Sequence, residues 1–257
     1  MTLGNATLAD PRSPWLTRIP VRNEPAIVCI PFAGLGASAF SGWPVGIAGA
    51  RVLPVQPPGR ENRARETCSP SPRAFAQELA PVLQALRPRP LLFVAHCGAV
   101  PYALETARLL GAAGTGTTMR LLASSWGAPH RGTFGPLNHR PLAEIDGAAE
   151  VTAMMRGRGH DVDPELAEIY ADILMDDLRA MRGYRFDSAE GLPLPTTVLG
   201  WTADETVPAE LAHAGWDELG QVRLRLLDGP HEAFLECPGQ LRGVIEAEVR
   251  EMVGHAS

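Results

Sequence analysis

Leu91-Leu92-Phe93-Val94-Ala95-His96-Cys97-Gly98-Ala99-Val100 is the stretch that decides the fold. Five apolar residues run from Leu91 to Ala95 and, after His96, reach the thiol of Cys97, with Ala95 two positions before it and Ala99 two positions after. An apolar run without polar alternation marks a strand buried on both faces. A strand that turns into a helix through small residues around a nucleophilic side chain has the shape of a nucleophile elbow. The outer positions must be small because the nucleophile sits on a strained turn with no room for side chains there. Cys97 occupies the centre where the usual pattern has serine. By residue type alone it fits an ordinary buried cysteine at a strand end equally well.

Working outward, apolar runs of the same kind recur at 26–30, 51–55, 120–123, 196–200 and 222–227, with helix-like stretches at 72–86, 100–110 and 240–252. Alternation of buried strands and helices calls for an α/β fold, a mostly parallel central sheet with helices on both faces. The expectation is a single domain over 1–257, with residues 1–24 a loosely attached arm. Between 129 and 191 the alternation stops. Leu166, Ile169, Tyr170, Ile173, Leu174, Leu178 and Met181 fall at helical spacing there, and a segment of that length cannot be a bare loop in a compact domain. It reads as a helical insertion between strands, either a small packing subdomain or a mobile lid, and its position in an open sheet favours the lid.

Composition narrows the function classes. Of 257 residues, 45% are hydrophobic and 20% charged, enough apolar material for a sizeable core. A net charge of −6 argues against a nucleic-acid partner, which needs a basic surplus. The 23 basic residues are all Arg, so lysine Schiff-base chemistry and a phosphate-loop lysine are excluded. No apolar run is long enough for a membrane span. Cys29, Cys68, Cys97 and Cys237 are far apart, with no C-x-x-C pair to suggest zinc or redox exchange, so no metal site is expected. Four thiols without an export signal fit a reducing cytoplasm.

Two further residues turn the elbow into a candidate site. Asp204 follows the strand expected at 196–200, and His231 lies 27 residues beyond it, after the strand expected at 222–227. Nucleophile, acid, histidine is the chain order of α/β-hydrolases. Early in the chain, Pro31-Phe32-Ala33-Gly34-Leu35-Gly36-Ala37-Ser38 supplies small residues whose backbone N–H groups can approach a ligand. In this architecture that loop gives half of an oxyanion hole, and the N–H of Gly98 gives the other half.

Pro31-Phe32-Ala33-Gly34, Val55-Gln56-Pro57-Pro58-Gly59-Arg60-Glu61-Asn62-Arg63, Ala95-His96-Cys97-Gly98-Ala99, Ala128-Pro129-His130, Asp204 and Gly229-Pro230-His231 together resemble the type II thioesterases of polyketide synthase and nonribosomal peptide synthetase systems. The likeness spans roughly residues 15 to 252. It implies an α/β-hydrolase fold, Cys97 as nucleophile, His231 as base, Asp204 as the orienting acid, and Ala33 and Gly98 as backbone oxyanion donors. It implies acyl groups carried as thioesters on the phosphopantetheine arm of an acyl or peptidyl carrier protein. No cofactor belongs to the chain itself, since the phosphopantetheine arrives on the carrier. The family usually has Gly-His-Ser-Met-Gly where this chain has Ala-His-Cys-Gly-Ala. Arg60 and Glu61 are expected to brace the sheet edge, and His96 to be structural.

Three activities follow. The resemblance implies hydrolytic release. The cysteine favours acyl transfer or cyclisation onto an amine or internal nucleophile, because an acyl thioester keeps the activation an oxoester loses, and a neighbouring imidazolium and helix N-terminus both favour thiolate. The third is an inactive carrier-binding module. Phe32, Met154, Met155 and Tyr170 are the candidate acyl-chain contacts. Arg131, Arg156 and Arg158 are candidates for docking an acidic carrier, or else solvated surface charge.

Overall fold

The computed structural model describes residues 13–20, 24–85, 90–114, 116–157, 161–187, 189 and 191–254. Among the described residues, seven strands make one sheet: β1 (Ala26–Ile30), β2 (Gly46–Ile47), β3 (Ala50–Pro54), β4 (Leu91–His96), β5 (Met119–Ser124), β6 (Thr196–Ala203) and β7 (Val222–Pro230). Their spatial order is β2-β3-β1-β4-β5-β6-β7. Only the short β2 runs antiparallel, against β3, and every other neighbouring pair is parallel. The fold is that of the α/β-hydrolases.

Parallel strands need crossovers, and the helices that make them cover both faces. On one face α1 (Pro72–Gln84) and α2 (Val100–Ala112) bury Phe75, Leu79, Leu83, Ala103, Leu104 and Ala107 against Val28, Phe93 and Leu121. On the other, α6 (Gly239–Gly254) buries Leu241, Ile245, Val249 and Met252 against Ile27, Val94 and Leu122. Ser71 starts α1 by accepting the Ala74 N–H at 3.1 Å, with Pro72 at the first helical position, where its missing N–H costs nothing. Among the described residues no helix is long and apolar enough to cross a membrane.

Between β5 and β6 the chain forms three 3-10 turns, then α3 (Gly147–Gly157) and α4 (Pro164–Arg182), whose own small core contains Ile145, Val151, Ala167, Leu174 and Leu178. A short α5 (Ala209–His213) follows β6.

The structure departs from the sequence reading in several places. Residues 13–20 are not a loose arm: Trp15 is buried against Phe75, ring centroids 5.1 Å apart, with the Arg63 guanidinium 4.5 Å over its ring, and Leu16 bridges Val55. Most of the remaining arm, 1–12 and 21–23, lies outside the described residues, as do Leu86, the expected end of α1, and Arg158. The run at 222–227 reads as a strand buried on both faces, yet β7 is the sheet edge and leaves Leu224 and Leu226 exposed. β2 and α5 went unread because two and five residues are too short for a periodicity to register.

Candidate active site

Cys97 follows the last residue of β4 with a backbone φ of 51°, the left-handed region that L side chains rarely enter, and the chain then passes through a 3-10 turn into α2. Ala95 and Ala99 are fully buried on either side of it. The turn holds the Cys97 side chain out of the sheet and into a cavity above the carboxyl ends of the strands.

His231 and Asp204 stand at the ends of β7 and β6. The Asp204 Oδ2 lies 2.9 Å from His231 Nδ1 and its Oδ1 lies 3.1 Å away; Oδ1 also accepts the N–H groups of Thr206 at 2.9 Å and Val207 at 2.8 Å. Burial favours the neutral form of both groups. For Asp204 the hydrogen bond and charge of His231, with the Val207 N–H, more than offset that, and its carboxyl is held below the ordinary value. For His231, hydrogen bonds with Asp204 and Cys97 and their charges outweigh burial and raise its pKa to about 10. The imidazole therefore carries its proton at neutral pH while the cysteine is unmodified.

His96 is completely buried, stacked on Phe234 at 4.4 Å and crossed by the edge of Phe32 at 4.9 Å. Its Nδ1 pairs with Ser124 Oγ at 2.9 Å, which also accepts from Trp201 Nε1 at 2.9 Å.

The loop after β1 is fixed by three separate acceptors. Gly34 N–H donates to Asp177 Oδ2 at 2.9 Å, Ala37 N–H to Gln56 Oε1 at 3.1 Å and Ser38 N–H to Glu61 Oε1 at 3.1 Å. Arg60 forks onto Asp177 at 2.8 and 3.0 Å and also donates to the Leu35 carbonyl at 2.9 Å. Two glycines make this possible. Gly34 has φ +79°, and a Cβ at Gly36 would sit 2.3 Å from Glu61 Oε1. Arg60 and Glu61 therefore brace the loop and α4, not the sheet edge, because their side chains reach toward the strand ends. Ala33 and Gly98 line one small pocket of about 20 Å³, together with Arg60 and Asp177.

The cavity onto which Cys97 opens has a volume of about 540 Å³. Cys97, His231 and Ala33 line it, as do Phe32, Met154, Met155 and Tyr170. Met155 and Tyr170 also pack on the α3–α4 core, while Met154 is partly exposed. The ion pair of Arg140 with Glu150, 2.5 Å, forms part of the wall. Arg131 pairs with the exposed Glu218 at 2.5 Å outside this cavity.

Sequence reasoning missed Asp177 and gave Gln56, part of the Val55–Arg63 segment, no role of its own. Asp177 had a visible signal: it is an acid on the apolar stripe of α4, with Ile173, Leu174, Leu178 and Met181, and such a position stays charged only with a buried partner.

Comparison with known proteins gives the lineage. A family model described as "Thioesterase domain" matches residues 25–247. A probable cadicidin biosynthesis thioesterase of Streptomyces griseus is 29% identical over 231 residues, 88% of this chain and 63% of that protein, so the chain spans less than two thirds of this relative's length. The type II thioesterase BorB from the borrelidin biosynthetic cluster superposes with a TM-score of 0.76 at 27% identity, covering 92% of this chain and 98% of BorB. YbtT, a type II thioesterase from the yersiniabactin NRPS/PKS pathway, does so with 0.73 at 26%, covering 93% and 97%. With the strand order, the turn at Cys97 and a model match over almost the whole length all agreeing, the chain belongs to the thioesterase domain family of α/β-hydrolase enzymes.

Proposed function

We propose that the chain is a type II thioesterase that hydrolyses acyl groups carried as thioesters on the phosphopantetheine arm of an acyl or peptidyl carrier protein, with Cys97, His231 and Asp204 as catalytic residues. One observation carries the reading: Cys97, at φ 51° in the strand-to-helix turn, opens onto the same cavity as His231, which is hydrogen-bonded with Asp204. The settings named for the relatives, the borrelidin cluster and the yersiniabactin NRPS/PKS pathway, support the carrier-bound substrate.

Cys97 sulfur, as thiolate, attacks the thioester carbonyl, and the N–H groups of Ala33 and Gly98 hold the oxygen that gains charge. Collapse breaks the bond to the pantetheine sulfur, which leaves with the proton carried on His231 Nε2, and an acyl-S-Cys97 thioester remains. Acylation also removes the Cys97 charge that helped hold the proton on His231, so the imidazole is released to act as base. It takes a proton from water as the oxygen adds to the acyl carbon. Collapse then returns the Cys97 thiolate and frees the carboxylic acid. Asp204 keeps the Nδ1 proton in place throughout. The cavity takes the acyl chain along Phe32, Met154, Met155 and Tyr170, and the α3–α4 segment acts as its lid.

The cysteine itself favours a second reading, transfer of the acyl group to an amine or an internal nucleophile. Mass spectrometry of products from an acyl-carrier substrate, with and without added amine, decides between them: free acid alone under both conditions excludes transfer. The expectation for Cys97→Ser is retained or enhanced hydrolysis with reduced transfer, and equal loss of both would make the cysteine incidental. Iodoacetamide labelling at neutral pH tests whether the site is active at all, since an inert scaffold would alkylate Cys97 no faster than Cys29, Cys68 or Cys237.

A further inference from the structure

We propose that Asp177 is a positioning residue for the oxyanion hole, acting from α4 through the backbone of the loop after β1; this rests on the reading of Cys97 and Ala33 given above. Asp177 Oδ2 accepts the Gly34 N–H at 2.9 Å. That N–H belongs to the peptide unit that begins at the Ala33 carbonyl, so the bond fixes the rotation of the chain on the carboxyl side of Ala33. Gly34, at φ +79° and without a side chain, offers little resistance of its own to a flip of that peptide. Asp177 supplies the resistance.

The carboxylate is in turn held rigid. Arg60 forks onto both of its oxygens, and the same guanidinium donates to the Leu35 carbonyl at 2.9 Å. Acid, base and loop form a closed ring of hydrogen bonds around Gly34 and Leu35. Both charged side chains are buried and line the same small pocket as Ala33 and Gly98. A buried ion pair is no more stabilising than well-packed apolar residues of similar volume. Orientation of a loop amide is something apolar packing cannot provide.

Two reagents separate this role from a structural one. Iodoacetamide alkylates Cys97 by displacement at a saturated carbon and makes no oxyanion. An acyl trifluoromethyl ketone adds the same sulfur to a carbonyl and places an oxyanion at the Ala33 and Gly98 N–H groups. For Asp177→Asn, alkylation of Cys97 is expected to stay within about twofold of the parent. Trifluoromethyl ketone affinity and kcat for an acyl thioester are both expected to fall on the order of 10²-fold, with KM little changed. Arg60→Lys, which keeps the charge and loses the fork, should give a smaller loss in the same pattern and serves where Asp177→Asn folds poorly. Parallel loss of alkylation and ketone binding, or no loss of either, overturns the proposal. If the parent enzyme itself fails to bind the ketone, or Cys97→Ala stays active, the reading of the site falls instead.

Discussion

His96 and His231 lie ring against ring, centroids 4.3 Å apart and planes tilted by 53°, yet hold opposite protonation states at neutral pH. Burial, aided by the charge of His231, drives the pKa of His96 well below the ordinary histidine value and keeps it neutral. Asp204 and Cys97 do the reverse for its neighbour. A second cation at 4.3 Å would repel the first, so a neutral His96 is a condition for a protonated His231.

Removing the Asp204 charge dismantles that difference. Asp204→Asn keeps the shape and loses both the charge and the correct acceptor for Nδ1–H, so kcat/KM should drop on the order of 10² to 10⁴-fold. An NMR titration of His231 in the variant should show its pKa falling from about 10 toward the ordinary value. An unchanged titration would mean that Asp204 is not its main partner.

Stability should depend on pH in a defined window. The pKa of His231 is higher folded, about 10, than in an unfolded chain, about 6.5, so its contribution is complete below about 6.5 and disappears as pH rises through about 10. Asp204 is lowered, so its contribution is present above its unfolded value and lost as pH falls through the folded one. The urea midpoint of the native chain is expected to fall between pH 7 and 10 more steeply than that of His231→Gln. Parallel curves would count against the raised value.

The turn at Cys97 stores strain, because a side chain at φ 51° costs about 1 kcal/mol or more that glycine does not incur. Cys97→Gly should therefore raise the melting temperature by roughly 2 to 4 °C while abolishing turnover. A melting temperature that drops would show that the thiol's packing outweighs the backbone.

Gly36 faces Glu61, and a methyl group there would come within 2.3 Å of Oε1. Gly36→Ala should displace Glu61 from Ser38 and lower kcat by on the order of tenfold through the loop. In combination with Glu61→Ala the two losses should not add, with a coupling of about 0.5 to 3 kcal/mol. Strict additivity in the double-mutant cycle would place the two effects at independent sites.

Much of the fold was legible because strands buried on both faces carry a signal at every residue: β1 and β4 are buried at all their positions, and their sequences are apolar almost throughout. The amphipathic spacing of α4 was readable in the same way. The edge strand misled: Val222-Arg223-Leu224-Arg225-Leu226-Leu227 is rich in apolar residues, but its arginines at 223 and 225 break the run, and its place at the rim is set by its pairing with β6.

For the site, the sequence alone supplied the candidate residues: a thiol between small residues, an acid and a histidine in that chain order, and a loop of small residues after the first strand. Those features are local, because each is dictated by a turn or a strand end a few residues long. What only the tertiary structure decided was the support beneath them. Asp177 meets Gly34 across 143 positions and Arg60 across 117, and no local pattern links them. Partners so far apart in sequence meet because the sheet brings their elements to the same end of the molecule, where burial obliges each charge to find its complement.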